Sequence, residues 1–345
     1  MEKGRSMRSE IKQFKNSKVL WYGISTAILL GLIYLADVKK FLSALKDVDP
    51  IYMSAAFISG LSVFLVWGYI WHSFFRKLNI DTELLKSYNI FMAGNFMNSI
   101  TPFGQLGGEP VMAYVISRNT GAKYEKSLST VMSADIINAV PFLTYASAGI
   151  LYILLFGTLN SIIRAGIYAV ILLNITFLFI AYLAWFKIDK VEETLYELLN
   201  YIKSRFTKSE RFISSLKERV RTLKESFKKA GEDRGHLVKM GLISHLAPIT
   251  QFLCLYLILL GLESSISFIG IYFTVILAGL AMFSPTPGGA GTFEAVFSAL
   301  LMFFHPGMAL DTAVASAVLF RLTTFWPGLL IGYLALLSLR GGADK

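Results

Sequence analysis

The sequence predicts an all-α, polytopic membrane protein built from two inverted repeats with broken or re-entrant helices. Only 16% of its 345 residues are charged and 54% are hydrophobic, whereas a soluble globular domain contains about 25% charged residues. Apolar runs of 18 or more residues recur along the chain, and roughly 20 helical residues cross a bilayer. A motif rich in glycine and proline also occurs twice. Together these observations predict about eight membrane segments.

The membrane segments follow a basic tail, residues 1–18. The first segment, 19–36, is longer than the core of a signal peptide and precedes no small-residue cleavage site, which favours a membrane anchor over a cleaved leader. The later apolar runs are 51–74, 83–100, 126–156, 161–186, 237–260, 266–283 and 312–339. Two of them, 83–100 and 266–283, are short for a crossing and end in stretches dense in Gly and Pro. The sequence therefore predicts six full crossings and two re-entrant hairpins.

A basic loop, residues 187–236, separates the membrane domain into 19–186 and 237–345. The segment from Lys187 to Lys239 contains fourteen Lys or Arg residues and nine Asp or Glu residues. The positive-inside rule places this loop, the N-terminus and the C-terminus in the cytoplasm, as in a multi-pass protein of the cell membrane. Its helically spaced apolar residues predict amphipathic helices that lie on anionic headgroups or pack on each other. A coiled coil with a partner protein is the alternative.

Charge and composition also exclude several classes of function. The net charge of +10 is concentrated in the tail and the basic loop without interleaved aromatic residues, which favours lipid attraction over nucleic-acid binding. The single cysteine, Cys254, allows no intrachain disulfide and no cysteine-based zinc site. No HExxH, Walker or Gly-x-Ser-x-Gly motif occurs. We therefore expect neither enzymatic activity nor a metal or other cofactor.

The duplicated motif reads TPFGQLGGEP over residues 101–110 and PTPGGAGTFE over residues 285–294. Thr101 matches Thr286 and Glu109 matches Glu294 at an offset of 185 residues. The same offset carries the first repeat, 51–156, onto the end of the chain. The topology derived from the basic clusters starts the two copies on opposite sides of the membrane. Inverted repeats with broken helices are typical of transporters, whose substrate site lies near the midplane.

The breaks predict a polar cavity. Gly and Pro interrupt a helix, and backbone groups freed inside hydrocarbon must find partners. Free N–H groups at a half-helix start suit an anion such as a lipid phosphate, although a packing kink without a ligand is the alternative. Inverted symmetry predicts that Gly104 and Gly288 meet near the midplane. The candidate substrate-binding residues are Thr101, Gly104, Gln105, Gly107, Gly108, Glu109, Asp135, Asn138, Thr286, Gly288, Gly289, Gly291, Glu294 and Arg321.

Charged residues at the breaks admit several roles. Glu109 and Glu294 serve in proton or cation coupling, contact a headgroup, or cap the half-helices. Asp135 and Arg321 occupy positions 186 residues apart, so the repeats carry opposite charges at equivalent places. Arg321 either pairs with Asp135 or binds a phosphate through two hydrogen bonds. For Asn138, a hydrogen bond between helices is the alternative to cavity lining.

These motifs resemble the lysylphosphatidylglycerol synthase transmembrane region family, also called flippase-like proteins. The residues that carry the resemblance are the GGE of residues 107–109, PGGAGTFE of residues 287–294, the Phe-Arg-Leu of residues 320–322, and Pro327. The resemblance implies a stand-alone membrane domain without the aminoacyltransferase domain, so synthase activity is not implied. An arginine common in the family near Asp135 is absent here.

The resemblance implies translocation of a polar or polyprenyl-linked lipid, as in archaeal relatives tied to lipid-linked sugar export. The expected ligands are membrane lipids with an anionic headgroup or a lipid-linked sugar, and the cavity is expected to open laterally between helices. One alternative is a transporter of a small soluble anion. Another is a non-transporting partner subunit of a membrane glycosyltransferase.

Overall fold

The computed structural model describes residues 38–100, 105–156, 161–187, 210–264, 266–284 and 286–341, together with 189–190, 192–194 and 196–197. The basic tail, the predicted segment 19–36, Thr101 and Gly104 lie outside the described residues. The regular structure of the described residues is entirely helical. The predicted all-α class is therefore confirmed.

Most of the helices are apolar, whereas Val38–Asp47 and Glu210–Glu232 are amphipathic. In the described part of the chain they are α1 (Val38–Asp47), α2 (Pro50–Lys77), α3 (Leu84–Ile100), α4 (Gln105–Thr120), α5 (Tyr124–Phe156), α6 (Ser161–Phe186), α7 (Glu210–Glu232), α8 (Arg234–Ser244), α9 (Leu246–Gly261), α10 (Phe268–Ala278), α11 (Thr292–Phe304) and α12 (Leu310–Gly341). Two short 3-10 helices, Gly279–Phe283 and Pro287–Gly289, lie between α10 and α11.

Four helical stretches are long and apolar enough to cross a membrane. They are α2, α5, the continuous stretch Arg234–Gly261 formed by α8 and α9, and Leu310–Leu339 of α12. They coincide with four of the six predicted crossings. A fifth predicted crossing, 161–186, coincides with α6, which has 26 residues. The chain is a polytopic helical membrane protein.

The order of long and short helices repeats along the chain. The first copy runs long, short, short, long through α2, α3, α4 and α5, and the second copy does the same from α8 to α12. The helices of the first copy begin at residues 50, 84, 105 and 124, and those of the second at 234, 268, 292 and 310, a displacement of 184 to 187 residues. Helix lengths thus reproduce the offset that the motifs predict.

The short helices of the second copy form an antiparallel hairpin. Phe273 in the middle of α10 stacks on Phe304 at the end of α11, with ring centroids 4.9 Å apart. The imidazole of His305, just after α11, occupies the space beside Gly270 near the start of α10. With 11 and 13 residues, neither helix spans roughly 30 Å of hydrocarbon alone. Two short antiparallel helices are what a re-entrant hairpin requires, and their depth in the bilayer stays a prediction.

The chain divides into two compact units. The first contains the described residues up to Phe64, Gly94–Gly108 and Pro248–Tyr333. Its core joins buried residues of α2, α9, α10, α11 and α12, including the sole cysteine. α2 and α12 approach closely, because a Cβ atom on Gly60 would lie 2.6 Å from the carbonyl oxygen of Thr323. Small residues permit such approaches between membrane helices, where hydrophobic driving force is weak.

The second unit contains Leu65–Ala93, Glu109–Ala247 and the residues from Leu334 onward. Trp71 packs edge-on against Phe75 and Phe91, at ring-centroid distances of 6.1 and 5.5 Å. At the junction of α8 and α9, His245 Nε2 lies 2.7 Å from Thr144 Oγ1, and Nδ1 lies 2.6 Å from the carbonyl oxygen of Gly241. Both ring nitrogens therefore lie within hydrogen-bonding distance of polar atoms, as expected for a structural histidine.

The basic loop packs on protein. Phe227 and Ala230 of α7 are 2% and 0% exposed, and α7 packs against α5. For this stripe, the burial of Phe227 favours packing on protein over contact with headgroups, because the phenyl ring is covered by protein. Described parts of the loop also contact each other, since Lys224 Nζ lies 2.7 Å from Asp189 Oδ1 and 2.6 Å from Glu192 Oε2. Most of the first apolar stripe, residues 191–206, lies outside the described residues.

The contact between α2 and α12 predicts that adding one methyl group destabilises the protein at Gly60 but not at a glycine with open space around it. Gly60→Ala drives a Cβ atom toward a backbone oxygen, so we expect a loss of about 1–3 kcal/mol in unfolding free energy. Gly241→Ala is the matched control, because nothing lies within 4 Å of its added Cβ, and we expect a gain of about 0.5–1 kcal/mol from helix propensity. Thermal unfolding in one detergent measures both, and equal midpoints would contradict the close approach.

The ion pairs of Lys224 with Asp189 and Glu192 predict that the stability of α7 depends on pH. Hydrogen bonds from Lys224 lower the pKa of the Asp189 and Glu192 carboxyls, and the same bonds raise the pKa of Lys224. The carboxylate contribution is present above the unfolded carboxyl pKa values of about 4 and is lost as pH falls through the lowered folded values. The ammonium contribution is present below about pH 10 and is lost as pH rises through the raised value.

We expect hydrogen-exchange protection of α7 to be level between these limits and to fall below about pH 4. Lys224→Met should remove the acid-dependent step and lower protection at neutral pH. Lys228→Met is the control: this exposed lysine on the same helix lowers the Asp189 pKa less than Lys224 does, so most of the step should remain. An acid step of unchanged size in Lys224→Met would show that other carboxylates hold the helix.

Candidate functional site

The second break is a backbone reversal made of glycines. Gly288, Gly289 and Gly291 have φ values of 58°, 68° and 79°, a left-handed region that residues with a Cβ atom rarely adopt. The turn is closed by a hydrogen bond of 2.9 Å from Gly289 N to the carbonyl oxygen of Thr286. Thr286 is 2% exposed, and its Oγ1 lies 2.8 Å from Ser284 Oγ. These residues bring the chain from α10 into α11.

The second break lies against the end of α3 within the first unit. A Cβ atom on Gly288 would press into the ring of Phe325 and would lie 3.1 Å from the carbonyl oxygen of Ser99. Ser99 is the penultimate residue of α3, where the first break begins. Gly104 itself lies outside the described residues, so its approach to Gly288 stays a prediction.

Glu294 caps the half-helix that follows the second break. It is the third residue of α11, and its Oε2 accepts a hydrogen bond of 2.7 Å from Gly291 N. The carboxyl side chain is 5% exposed. The capping role expected for Glu294 is therefore present, and one carboxylate oxygen remains for another partner.

Arg321 of α12 ties the break together. Its side chain is 2% exposed, with Nε 3.3 Å from Glu294 Oε1, and its Nη1 donates a hydrogen bond of 2.8 Å to the carbonyl oxygen of Gly288. The guanidinium carbon lies 3.7 Å from the ring centroid of Phe325 and 5.1 Å from that of Phe293. One side chain thus contacts the backbone of the break, the carboxylate after it, and two aromatic rings.

The carboxylate beside Arg321 differs from the one considered in the sequence analysis. Pairing with Asp135 was one of two alternatives, yet the structure places Glu294 of the same repeat next to the guanidinium. The Glu294 contact arises because α11 begins directly at the break, which brings its third residue to the face of α12 that carries Arg321.

The first repeat also carries carboxylates at the positions equivalent to Glu294 and Arg321. Glu109 lies in α4 and Asp135 lies in α5, both within the second unit. Asn138 follows Asp135 about one helical turn later, and its Oδ1 is buried without a hydrogen-bond partner among the described residues.

The remaining residues of the first motif line the start of α4. Gly108 lies against Asn98, because a Cβ atom there would overlap the Asn98 amide. Gln105 and Gly107 lie in the first turn of α4, and Thr101 lies outside the described residues. Among the described residues, no group of three His, Cys, Asp or Glu could hold a metal ion.

Sequence reasoning missed two residues that shape the site, Ser99 and Phe325. The position of Phe325 could have been found from the sequence, since it lies four residues after Arg321 on the same helix and such pairs share a face. Ser99 could not, because its role depends on a contact between helices distant in sequence.

The buried ion pair predicts a rescue by double substitution. Arg321→Met leaves the Glu294 carboxylate buried without its cation, so we expect a loss of about 3–5 kcal/mol in unfolding free energy. Adding Glu294→Gln removes that charge and keeps an oxygen for Gly291 N–H, so the double variant should recover much of the loss. Thermal unfolding with denaturant calibration measures both.

The control is Arg219→Met, which breaks a pair of 3.4 Å with Glu125 on an arginine that is 61% exposed. Exposed pairs contribute about 0–1 kcal/mol, so we expect little change. A double variant less stable than Arg321→Met would refute charge pairing as the reason that the two side chains lie together.

Comparison with known proteins agrees with this architecture. A family model described as "Lysylphosphatidylglycerol synthase TM region" matches residues 22–332. The chain is 28% identical to a UPF0104 membrane protein of Pyrococcus horikoshii over 92% of this chain and 96% of that protein. It is 25% identical to one of Methanothermobacter thermautotrophicus over 88% and 90% of the two chains, and 24% identical to one of Methanocaldococcus jannaschii over 93% and 95%. The chain belongs to the lysylphosphatidylglycerol synthase transmembrane region family.

Proposed function

We propose that this protein translocates a lipid with a polar, charged headgroup across the cell membrane, as a flippase without enzymatic activity of its own. The observation that carries the proposal is the buried contact of Arg321 with Glu294 and Gly288 at a glycine break. Such a site combines a cation and a carboxylate with glycines that allow the backbone to change conformation, inside a membrane protein. A rigid packing kink needs none of these charges.

A lipid substrate fits both the membrane setting and the chemistry of the break. Its headgroup needs polar partners during passage, while its chains remain in hydrocarbon, so the path should open laterally between helices. The family name refers to an enzyme of phosphatidylglycerol modification, which supports an amphiphilic substrate. The ligand class is an anionic headgroup or a polyprenyl-linked sugar. The orientation we propose places the N-terminus, the loop 187–236 and the C-terminus in the cytoplasm.

Exchange of partners at Arg321 gives the proposal a mechanism. A phosphate oxygen can replace Glu294 Oε1 beside the guanidinium, because both are anionic oxygens that accept charge-assisted hydrogen bonds. Glu294 then retains Gly291 N–H through its other oxygen. The Glu109 and Asp135 carboxylates supply places for a proton or cation while the headgroup moves.

Charge-removing substitutions test this function. Glu109→Gln and Glu294→Gln keep side-chain shape, and Arg321→Lys replaces a planar fork with a point charge. In proteoliposomes carrying fluorescent phosphatidylglycerol or a polyprenyl phosphate, we expect at least one glutamine variant and Arg321→Lys to translocate about tenfold more slowly than wild type, the size of one lost charge-assisted contact.

The matched controls are Glu263→Gln, on an exposed loop carboxylate, and Arg219→Lys, on an exposed arginine of α7. Both should translocate at the wild-type rate. Uptake of soluble phosphate without lipid movement would favour the small-anion transporter. Wild-type protein at the empty-vesicle rate for every lipid would overturn the proposal and favour a partner subunit of a glycosyltransferase.

A further inference from the structure

A cavity of about 420 Å³ lies at the C-terminal end of α2, within the second unit. This volume falls in the range of about 300–1,000 Å³ typical of ligand pockets. The side chains that line it offer donors and positive charge but no carboxylate: Tyr69, His72, Ser73, Arg76, Lys77 and His236. We call this cavity the basic pocket. None of its residues belongs to the glycine breaks.

One face of α2 builds most of the basic pocket. Tyr69, His72, Ser73 and Arg76 have the spacing i, i+3, i+4 and i+7, which places them on the same side of a helix. His236 completes the wall from the third position of α8, whose first turn carries the positive end of the helix dipole. The spacing of these residues on α2 and the position of His236 on α8 therefore place hydrogen-bond donors along one wall of the basic pocket.

The charge of the basic pocket is only partly compensated. Lys77 Nζ lies 2.9 Å from Asp233 Oδ2, and Asp233 Oδ1 accepts a hydrogen bond of 2.9 Å from the backbone N–H of His236 as the cap of α8. Both oxygens of this carboxylate are therefore occupied. Arg76 is exposed and has no ion-pair partner within the described part of the chain. Its guanidinium remains available to an anion.

The two imidazoles add donors to this charge. His72 Nδ1 lies 2.8 Å from Ser87 Oγ, which leaves Nε2 as the ring nitrogen available to a ligand. His236 packs edge-on to Phe74 at 5.2 Å, and its Nε2 is buried without a hydrogen-bond partner among the described residues. Buried polar atoms normally have partners. An oxygen atom held at this wall would supply one.

We propose that the basic pocket binds a phosphate group, with Arg76 as its principal charge partner. Guanidinium groups bind phosphate through paired, charge-assisted hydrogen bonds, and basic pockets between membrane helices bind anionic lipid headgroups. The phosphate belongs to a lipid headgroup or to a soluble phosphate, since the chemistry at the pocket is the same. The inference concerns binding alone and does not rest on the proposed transport.

Two binding measurements on the full chain separate the sources. Calorimetric titration of the detergent-purified protein with inorganic phosphate reports soluble phosphate. Native mass spectrometry after exchange into mixed micelles reports retention of phosphatidylglycerol relative to phosphatidylcholine. We expect wild-type protein to bind at least one of these anionic phosphate probes in preference to its control, which is chloride for inorganic phosphate and, for phosphatidylglycerol, phosphatidylcholine, whose phosphate charge is balanced by choline.

Arg76→Gln should weaken that binding at least tenfold, because it removes the uncompensated charge. Arg118→Gln is the matched control: this exposed arginine also lies in the last turn of a membrane helix, α4, but does not line the pocket. Ser73→Asp is a second variant that places a negative charge inside the pocket while leaving Arg76 intact, and it should weaken binding as strongly. Unchanged thermal midpoints establish folding.

Each outcome decides the proposal. Loss of binding in Arg76→Gln and Ser73→Asp, with Arg118→Gln unchanged, supports the basic pocket, and the probe that is lost identifies the source. Equal weakening by Arg76→Gln and Arg118→Gln would overturn it in favour of diffuse surface charge. Absence of phosphate preference in the wild-type protein would also overturn it, whatever the translocation assay shows.

Discussion

The need to satisfy backbone groups freed inside hydrocarbon governs this structure. A helix interrupted in a membrane exposes N–H and C=O groups, each costly unless it finds a partner. Here Arg321 donates to the carbonyl oxygen of Gly288 and Glu294 accepts from Gly291 N–H. The Glu294–Arg321 pair therefore serves the backbone and compensates its own charges at once. Removal of either side chain leaves both a charge and a backbone group without a partner. Backbone capping and charge compensation therefore cannot be separated at this site.

The two repeats use the same framework for different charge chemistry. Helix lengths and starts repeat with nearly constant displacement, and Glu109 and Glu294 occupy equivalent places. On the following long helix, however, one repeat carries Asp135 and the other Arg321. The second repeat therefore has an ion pair, while the first carries two carboxylates at the equivalent positions. One duplicated unit thus carries opposite charge at equivalent places through a single difference in side chain.

Periodic and repeated features were predictable from sequence, whereas contacts between remote helices were not. Hydropathy gave the bounds of α2, α5 and α12 because membrane thickness fixes the length of an apolar run. The motif offset gave the repeat, and glycine clusters gave the break. The partner of Arg321 depended on where α11 begins, and no periodicity encodes that. The packing of Phe227 against protein was missed for a similar reason: an amphipathic stripe shows that one face is covered but does not identify what covers it.

The energetics of a buried ion pair suit a site that exchanges partners. Desolvation of two charges consumes most of their mutual attraction, so such a pair contributes little net stability, although losing one member is costly. In the proposed exchange, a ligand phosphate that takes the place of Glu294 beside Arg321 keeps the cation paired, and the displaced carboxylate keeps its hydrogen bond from Gly291 N–H. The left-handed glycines of the break allow the backbone to follow, because they adopt several conformations at similar cost. A hydrophobic kink of equal stability would lack both properties, and this difference is the physical basis for assigning a function to the break.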